Sequence, residues 1–173
     1  MRSFYWLMEG ALAGCGRPGM SGAGRATPGE RGDRGDAEAA TQALDDDLAW
    51  LRGRGIGAVL SLTETPLTAG ALTRHGLEGL HLPVDDLTAP TPEQLDRALG
   101  FIDRQRARGR AVAVHCLVGQ GRTGTVLAAY LIRGGLSPEQ ALCELRTICP
   151  GAVGSPEQER ALRAFATRRD WIV

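Results

Sequence analysis

The 173-residue sequence contains no Lys and no Asn, so all 20 of its basic residues other than His are Arg. Folding physics gives no reason to exclude both residue types. Both are encoded by A-rich codons, which points to a GC-rich genome of bacterial type. Net charge is lacking too: 20 acidic residues balance the arginines, so no global field draws the chain toward nucleic acid or an anionic membrane. No run approaches the ~18 apolar residues that a spanning helix needs. The four cysteines, Cys15, Cys116, Cys143 and Cys149, form no CxxC pair and show no Cys/His ligand spacing, which argues against structural zinc. Cys143 reads as a small buried apolar residue. The run Asp45 to Asp47 lacks the Gly and the downstream Glu of a calcium loop. No metal and no organic cofactor are expected. Leu12-Ala13-Gly14-Cys15 has the pattern of a lipoprotein cleavage site, but Glu9 and Gly10 interrupt the apolar run before it. A cytoplasmic, unanchored protein is therefore expected.

What is present fits one domain over residues 1–173, long enough to bury a core. Phe4 to Leu12 reads as a short strand or extended packing segment. From about 15 to 40, Gly, Arg, Asp, Pro and Ser dominate, which predicts a flexible insertion with little to bury. Order resumes near Thr41, where Leu44, Leu48 and Leu51 share a helical face behind the Asp45 to Asp47 run. Ile56 to Leu62 reads as a buried strand, followed by a short helix after Pro66 and a strand across Leu80-His81-Leu82. Pro92 opens an amphipathic helix carrying Leu95, Ala98, Leu99 and Ile102. Ala111 to His115 is a short apolar strand. Helices are predicted over Thr123 to Arg133, Ser137 to Ile148, and Ser155 to about Arg168. Strands alternating with helices imply an α/β fold, a central, mostly parallel sheet flanked by helices.

The chemistry concentrates in His115-Cys116-Leu117-Val118-Gly119-Gln120-Gly121-Arg122-Thr123-Gly124. A buried strand ends at Cys116, a loop with two glycines follows, and Arg122-Thr123 opens an apolar helix. Such a loop can turn its amides inward, and the helix N-terminus adds partial positive charge, so Leu117 to Arg122 form a candidate phosphate cradle. Arg122 supplies a planar fork for two phosphate oxygens. In this field a thiol that ordinarily titrates near ~8.5 can fall to roughly 3.5–7.5, making Cys116 a nucleophile at neutral pH. Thr123 can donate a hydrogen bond to the sulfur. His115 is placed to orient the loop and help hold the thiolate rather than to act as base.

His115-Cys116-x-x-Gly119-x-x-Arg122-Thr123-Gly124 resembles the signature of the cysteine-based protein tyrosine phosphatase superfamily. The likeness is nearest to small atypical dual-specificity phosphatases of the dual-specificity phosphatase 23 type. It extends to Ser3-Phe4-Tyr5-Trp6 with Gly10 to Gly14, to Val59-Leu60-Ser61-Leu62-Thr63-Glu64, and to Pro150-Gly151 with Glu157-Gln158-Glu159. It implies a single-domain cysteine phosphatase fold with the phosphate loop between a strand and a helix. It also implies a general acid about thirty residues before the nucleophile. Asp86-Leu87-Thr88-Ala89-Pro90 fits the family's Asp-x-x-x-Pro pattern, which nominates Asp86 with Asp85 as the alternative. Gln158 resembles a glutamine that can position the hydrolytic water; an exposed helix Gln is the competing reading. Cys149 stands where relatives often carry a basic residue, implying a thinner cationic rim.

Leu117, Val118 and Gln120 carry no charge, which favours a phosphorylated protein as substrate. A small phosphate ester, a lipid or an RNA 5′ end is the alternative. No nucleic acid or membrane is otherwise expected as a partner, and the sequence does not speak to oligomeric state. Two readings from other classes compete: a phosphate-binding module without turnover, and a rhodanese-type sulfurtransferase.

Overall fold

A computed structural model describes residues 3–20 and 33–168. Among these residues five strands form one sheet: β1 (Tyr5–Met8), β2 (Leu12–Cys15), β3 (Ile56–Ser61), β4 (Glu78–His81) and β5 (Ala111–His115). Their order is β1-β2-β5-β3-β4. Only β1 runs antiparallel to its neighbour; the other three pairings are parallel. The segment from Phe4 to Leu12, expected as one extended piece, is thus the first strand and turn of a hairpin. Gly10, at φ +67°, makes the turn and sends the chain back as β2.

Among the described residues six helices flank the sheet: α1 (Asp33–Gly53), α2 (Ala71–Arg74), α3 (Pro92–Ala107), α4 (Gly121–Arg133), α5 (Pro138–Ile148) and α6 (Pro156–Thr167). Successive strand side chains point to opposite faces, and the sheet fills two cores accordingly. Val112 and Val114 join Leu99, Ile102, Leu127 and Leu145, from α3, α4 and α5, on one face. Ala111 and Ala113 join Leu44, Leu48 and Leu51, from α1, on the other. The expected α/β sheet flanked by helices is what the structure shows.

Two expectations need correction. The predicted insertion at about 15–40 is structured at both ends. Cys15 ends a buried strand, and beyond it the Arg17 amide donates to Leu117 O at 3.0 Å and the Gly19 amide to Asp47 Oδ2 at 2.9 Å. Helix α1 already begins at Asp33, several residues before Thr41; residues 21–32 lie outside the described part. Cys143 is exposed on α5 rather than buried, because Ala141, Leu142 and Leu145 take that helix's inward face.

One four-residue pattern, Ser or Thr followed by Pro-Glu-Gln, opens three helices: Thr91-Pro92-Glu93-Gln94, Ser137-Pro138-Glu139-Gln140 and Ser155-Pro156-Glu157-Gln158. In α3 and α5 it closes a reciprocal capping box, the hydroxyl accepting from the Gln amide and the Gln side chain accepting from the cap amide. In α6 the Ser155 hydroxyl accepts from the Gln158 amide, but the Gln158 side chain goes elsewhere. Among the described residues no helix is long and apolar enough to cross a membrane.

Candidate active site

In open α/β sheets, ligands bind beyond the carboxyl ends of the strands. Here that position belongs to the loop after β5, the middle strand. Residues 116–121 curl from the end of β5 to the first turn of α4, so loop amides and a 13-residue helix converge on one spot. Gly119, at φ +89°, makes the curl, and a Cβ there would lie 2.4 Å from the Cys15 carbonyl carbon. Glycine is thus required twice over, for its conformation and for the close approach of β2. The hairpin supports the loop from below. Tyr5 lies where a Cβ on Gly14 would be, and its hydroxyl donates to Gly119 O at 2.9 Å. Burial pushes the Tyr5 phenol pKa far up, so it remains a donor.

Cys116 sits at the base of this loop, and the Gly119 amide donates to its Sγ at 3.3 Å. Burial alone would push the thiol up. The Thr123 hydroxyl and amide, the Gly119 amide and the Arg122 charge outweigh it and bring the pKa below that of an ordinary thiol. The Thr123 hydroxyl is fully buried with no hydrogen-bond partner of its own, and its effect falls on the Cys116 thiol, whose pKa it lowers. Cys15 and Cys149 are shifted the other way, upward by burial. His115 is buried, and burial lowers its pKa to about 4, so the imidazole is neutral. Its Nδ1 lies 3.2 Å from Cys116 O and its Nε2 lies 2.7 Å from Ser61 Oγ. A neutral ring therefore donates from Nδ1 to the loop carbonyl and accepts from the Ser61 hydroxyl. His115 touches the loop through Nδ1, and its neutrality gives it no charge with which to hold a thiolate.

Arg122 is 2% exposed. Its Nη1 donates to Val84 O at 2.7 Å and faces Glu64 Oε2 at 3.0 Å; its Nη2 faces Asp86 Oδ1 at 2.9 Å. Its Nε is buried without any partner. One edge of the fork is thus fixed by protein, while the Nε–Nη2 edge holds an orphaned donor beside a carboxylate that can move away. A buried N–H without a partner is costly, and a bidentate oxyanion on that edge would satisfy it. Glu64 binds twice, since its Oε1 also accepts from the Asp86 amide at 2.9 Å. Its own backbone amide and the Arg122 guanidinium hold its carboxyl below the usual carboxylate range.

The segment from Asp85 to Pro90 forms the facing wall. Glu64 holds the Asp86 amide, Gln158 Nε2 donates to Thr88 O at 3.0 Å, and Glu157 Oε1 accepts from the Ala89 amide at 3.2 Å. Asp86 lines the cavity above Cys116 together with Leu117, Val118, Gln120 and Gly121; Asp85 does not line it. Gln158 is 2% exposed, lines the same cavity, and leaves its Oε1 unpartnered, so the exposed-helix reading fails. Sequence reasoning assigned no role to Tyr5, Ser61 or Glu64, although all three lie in stretches whose family likeness was visible. Among the described residues no cluster of His, Cys, Asp and Glu could hold a metal ion.

A family model described as "Polymorphic toxin system, DSP-PTPase phosphatase" matches residues 35–136, more than half of the chain. That span contains Asp86, Cys116 and Arg122 and stops short of α6. Dual specificity protein phosphatase 12 of Rattus norvegicus is 36% identical over 105 residues, 60% of this chain and 31% of that protein. Phosphatidylglycerophosphate phosphatase PTPMT2 of Arabidopsis thaliana is 30% identical over 125 residues, 69% of this chain and 55% of that protein. The chain thus spans from under a third to just over half the length of these relatives. Among solved structures, Tk-PTP in its active form superposes with a TM-score of 0.68 at 38% identity, covering 72% of this chain and 86% of that one. DUSP15 superposes at 0.70 over 98% and 90% of the two chains, and at 19% identity it shows the fold alone.

Proposed function

The chain belongs to the DSP-PTPase family of cysteine-type phosphatases, and on that premise we propose that it hydrolyses phosphate monoesters, those of proteins foremost, through a phosphocysteine on Cys116. The observation that carries the proposal is Arg122. Its buried Nε has no partner, and its Nη2 is capped by the one carboxylate on the facing wall that also lines the cavity.

Phosphate entering on the Nε–Nη2 edge takes the place of Asp86. The phosphoryl group then lies against the loop amides and the N-terminus of α4, above the sulfur. The Cys116 thiolate attacks phosphorus, the P–O ester bond breaks, and Asp86, which takes up a proton from water once Arg122 releases it, gives that proton to the leaving oxygen. In the second step Asp86, now a carboxylate, takes a proton from water as that water attacks phosphorus. The P–S bond breaks, phosphate leaves, and the thiolate is restored. Arg122 and the loop amides stabilise the equatorial oxygens in both transition states. Thr123 stabilises the sulfur as nucleophile and as leaving group. The unpartnered Oε1 of Gln158 supports a role in accepting a hydrogen bond from the attacking water. No step calls on a metal or an organic cofactor.

Two features favour protein substrates: an uncharged variable loop and a relative named as a protein phosphatase. A relative named as a phosphatidylglycerophosphate phosphatase keeps lipid monoesters as the second reading. The test is Cys116→Ser with para-nitrophenyl phosphate and with orthovanadate. Turnover should vanish while the oxyanion still binds, and acid quench of the wild type should trap one phosphoryl group per chain on Cys116. Turnover surviving in the variant would refute covalent catalysis.

A further inference from the structure

Away from the catalytic loop, a second cavity opens between α6 and the start of α3. Its volume is about 320 Å³. Pro90, Pro92, Leu95, Ala161, Ala164 and Phe165 line it with hydrocarbon, and among the described residues Arg168 is its one charged wall. Protein interiors leave few voids larger than a water molecule, so a carbon-lined groove of this size calls for apolar filling.

The last described residue stands at the edge of this groove. Arg168 Nη2 pairs with Asp96 Oδ2 on α3 at 2.8 Å, and its guanidinium lies 5.8 Å from the centre of the Phe165 ring. That pairing fixes where the chain leaves α6. Arg168 has φ −69° and ψ 139°, so the backbone departs in extended form. The next five residues, outside the described part, are Arg169-Asp170-Trp171-Ile172-Val173. Three extended residues reach about 10 Å, which puts Trp171 in range of the groove. In extended backbone Trp171 and Val173 point to the same side. Consecutive Trp, Ile and Val side chains gain from burial. A tether this short presents them to the groove at an effective concentration of about millimolar. A free peptide or a second copy has no such advantage.

We propose that this groove seats the chain's own Trp171, with Val173 beside it, and that the seated segment braces the wall carrying Asp86. The seat spans a joint. Pro90 closes the Asp86-to-Pro90 segment and Pro92 starts α3, while the opposite side belongs to α6. At its other end α6 already grips that segment, through Gln158 on Thr88 O and Glu157 on the Ala89 amide. An indole wedged between Pro90 and Phe165 ties wall to helix a second time and holds Asp86 in place above Cys116. The seat is independent of the phosphatase reading; its effect through Asp86 rests on that reading.

The test labels the full chain with 5-fluorotryptophan, whose three fluorine signals, from Trp6, Trp50 and Trp171, are assigned with Trp171→Phe. The Trp171 signal should show almost no solvent isotope shift between H2O and D2O. Ala164 is exposed at the lip of the groove, so Ala164→Glu puts a carboxylate in the seat without touching the core. It should move the Trp171 signal to an exposed position and lower the melting temperature by about 4–8 °C. Trp171→Ala should lower it by a similar amount, and the double variant should lose no more than either alone, because each empties the same seat. Turnover of para-nitrophenyl phosphate should fall about threefold in both, with the alkylation profile of Cys116 unmoved. An exposed Trp171 in the parent protein, a signal that Ala164→Glu leaves in place, or additive melting losses would overturn the seat. So would a buried signal that is lost on dilution while sedimentation shows dimers separating, since the groove would then hold a second copy. Unchanged turnover with the seat emptied would overturn the brace. A parent protein with no turnover at all would instead overturn the phosphatase reading and leave the fluorine result standing.

Discussion

Replacing Thr123 by Val probes the sulfur's electrostatics with little change of shape. The residue is fully buried, and the substitution exchanges the hydroxyl that serves Cys116 for a methyl group. A hydrogen bond to a charged group is worth about 1.5–3 kcal/mol, and about 1.4 kcal/mol corresponds to one pKa unit. The Cys116 pKa should therefore rise by roughly 1–2 units. The assay is the rate of alkylation by iodoacetamide against pH, with Cys116→Ser as the blank. Stability supplies a second readout whose sign is fixed. Folding depresses the Cys116 pKa, so the thiolate contributes stability that is fully present above the unfolded thiol pKa of about 8.5. That contribution is lost as pH falls through the folded value. Thr123→Val should thus cost about 1.5–3 kcal/mol in urea denaturation at alkaline pH and close to nothing once the sulfur is protonated. An unmoved alkylation midpoint, or the same stability loss at both ends of the pH range, would refute the reasoning.

Asp86→Ala should lower kcat on an aryl phosphate by about 10²–10⁴ and Asp85→Ala far less; steady-state kinetics giving the opposite ranking would assign the acid to Asp85. Gly119→Ala forces a Cβ to within 2.4 Å of the Cys15 carbonyl carbon at φ +89°. It should cost more than the ~1–3 kcal/mol of the backbone strain alone, lowering the melting temperature and abolishing turnover. A variant with wild-type melting and rate would show that the loop is not wedged against β2.

The fold was legible wherever periodicity and punctuation agreed. Pro92 did open α3, and the apolar run Ala111 to His115 is the central strand. The hairpin escaped because Leu12 to Cys15 is too short to show a period, and its Gly14 reads as loop until Tyr5 is seen lying across it. The start of α1 escaped because Ala, Glu and Asp residues with little to bury look alike in a helix and in a solvated tract. In the site, Cys116, Arg122 and Thr123 were visible because their spacing within one loop sets their geometry. Glu64 was not, because its two contacts join the loop after β3 to residues 22 and 58 positions onward, and no local pattern encodes such a distance. The burial of Gln158 was hidden for a related reason: its phrase is shared with two helices where the same residue serves only the cap.

That repeated phrase sets unequal freedom to vary. At 94 and 140, Glu in place of Gln could still return an oxygen to the cap amide, so drift there would leave each helix start intact. At 158 the same exchange would remove the donor that ties α6 to Thr88 and set a fixed anion against the chamber meant for phosphate. Of three kindred words in this chain, only the last cannot be respelled.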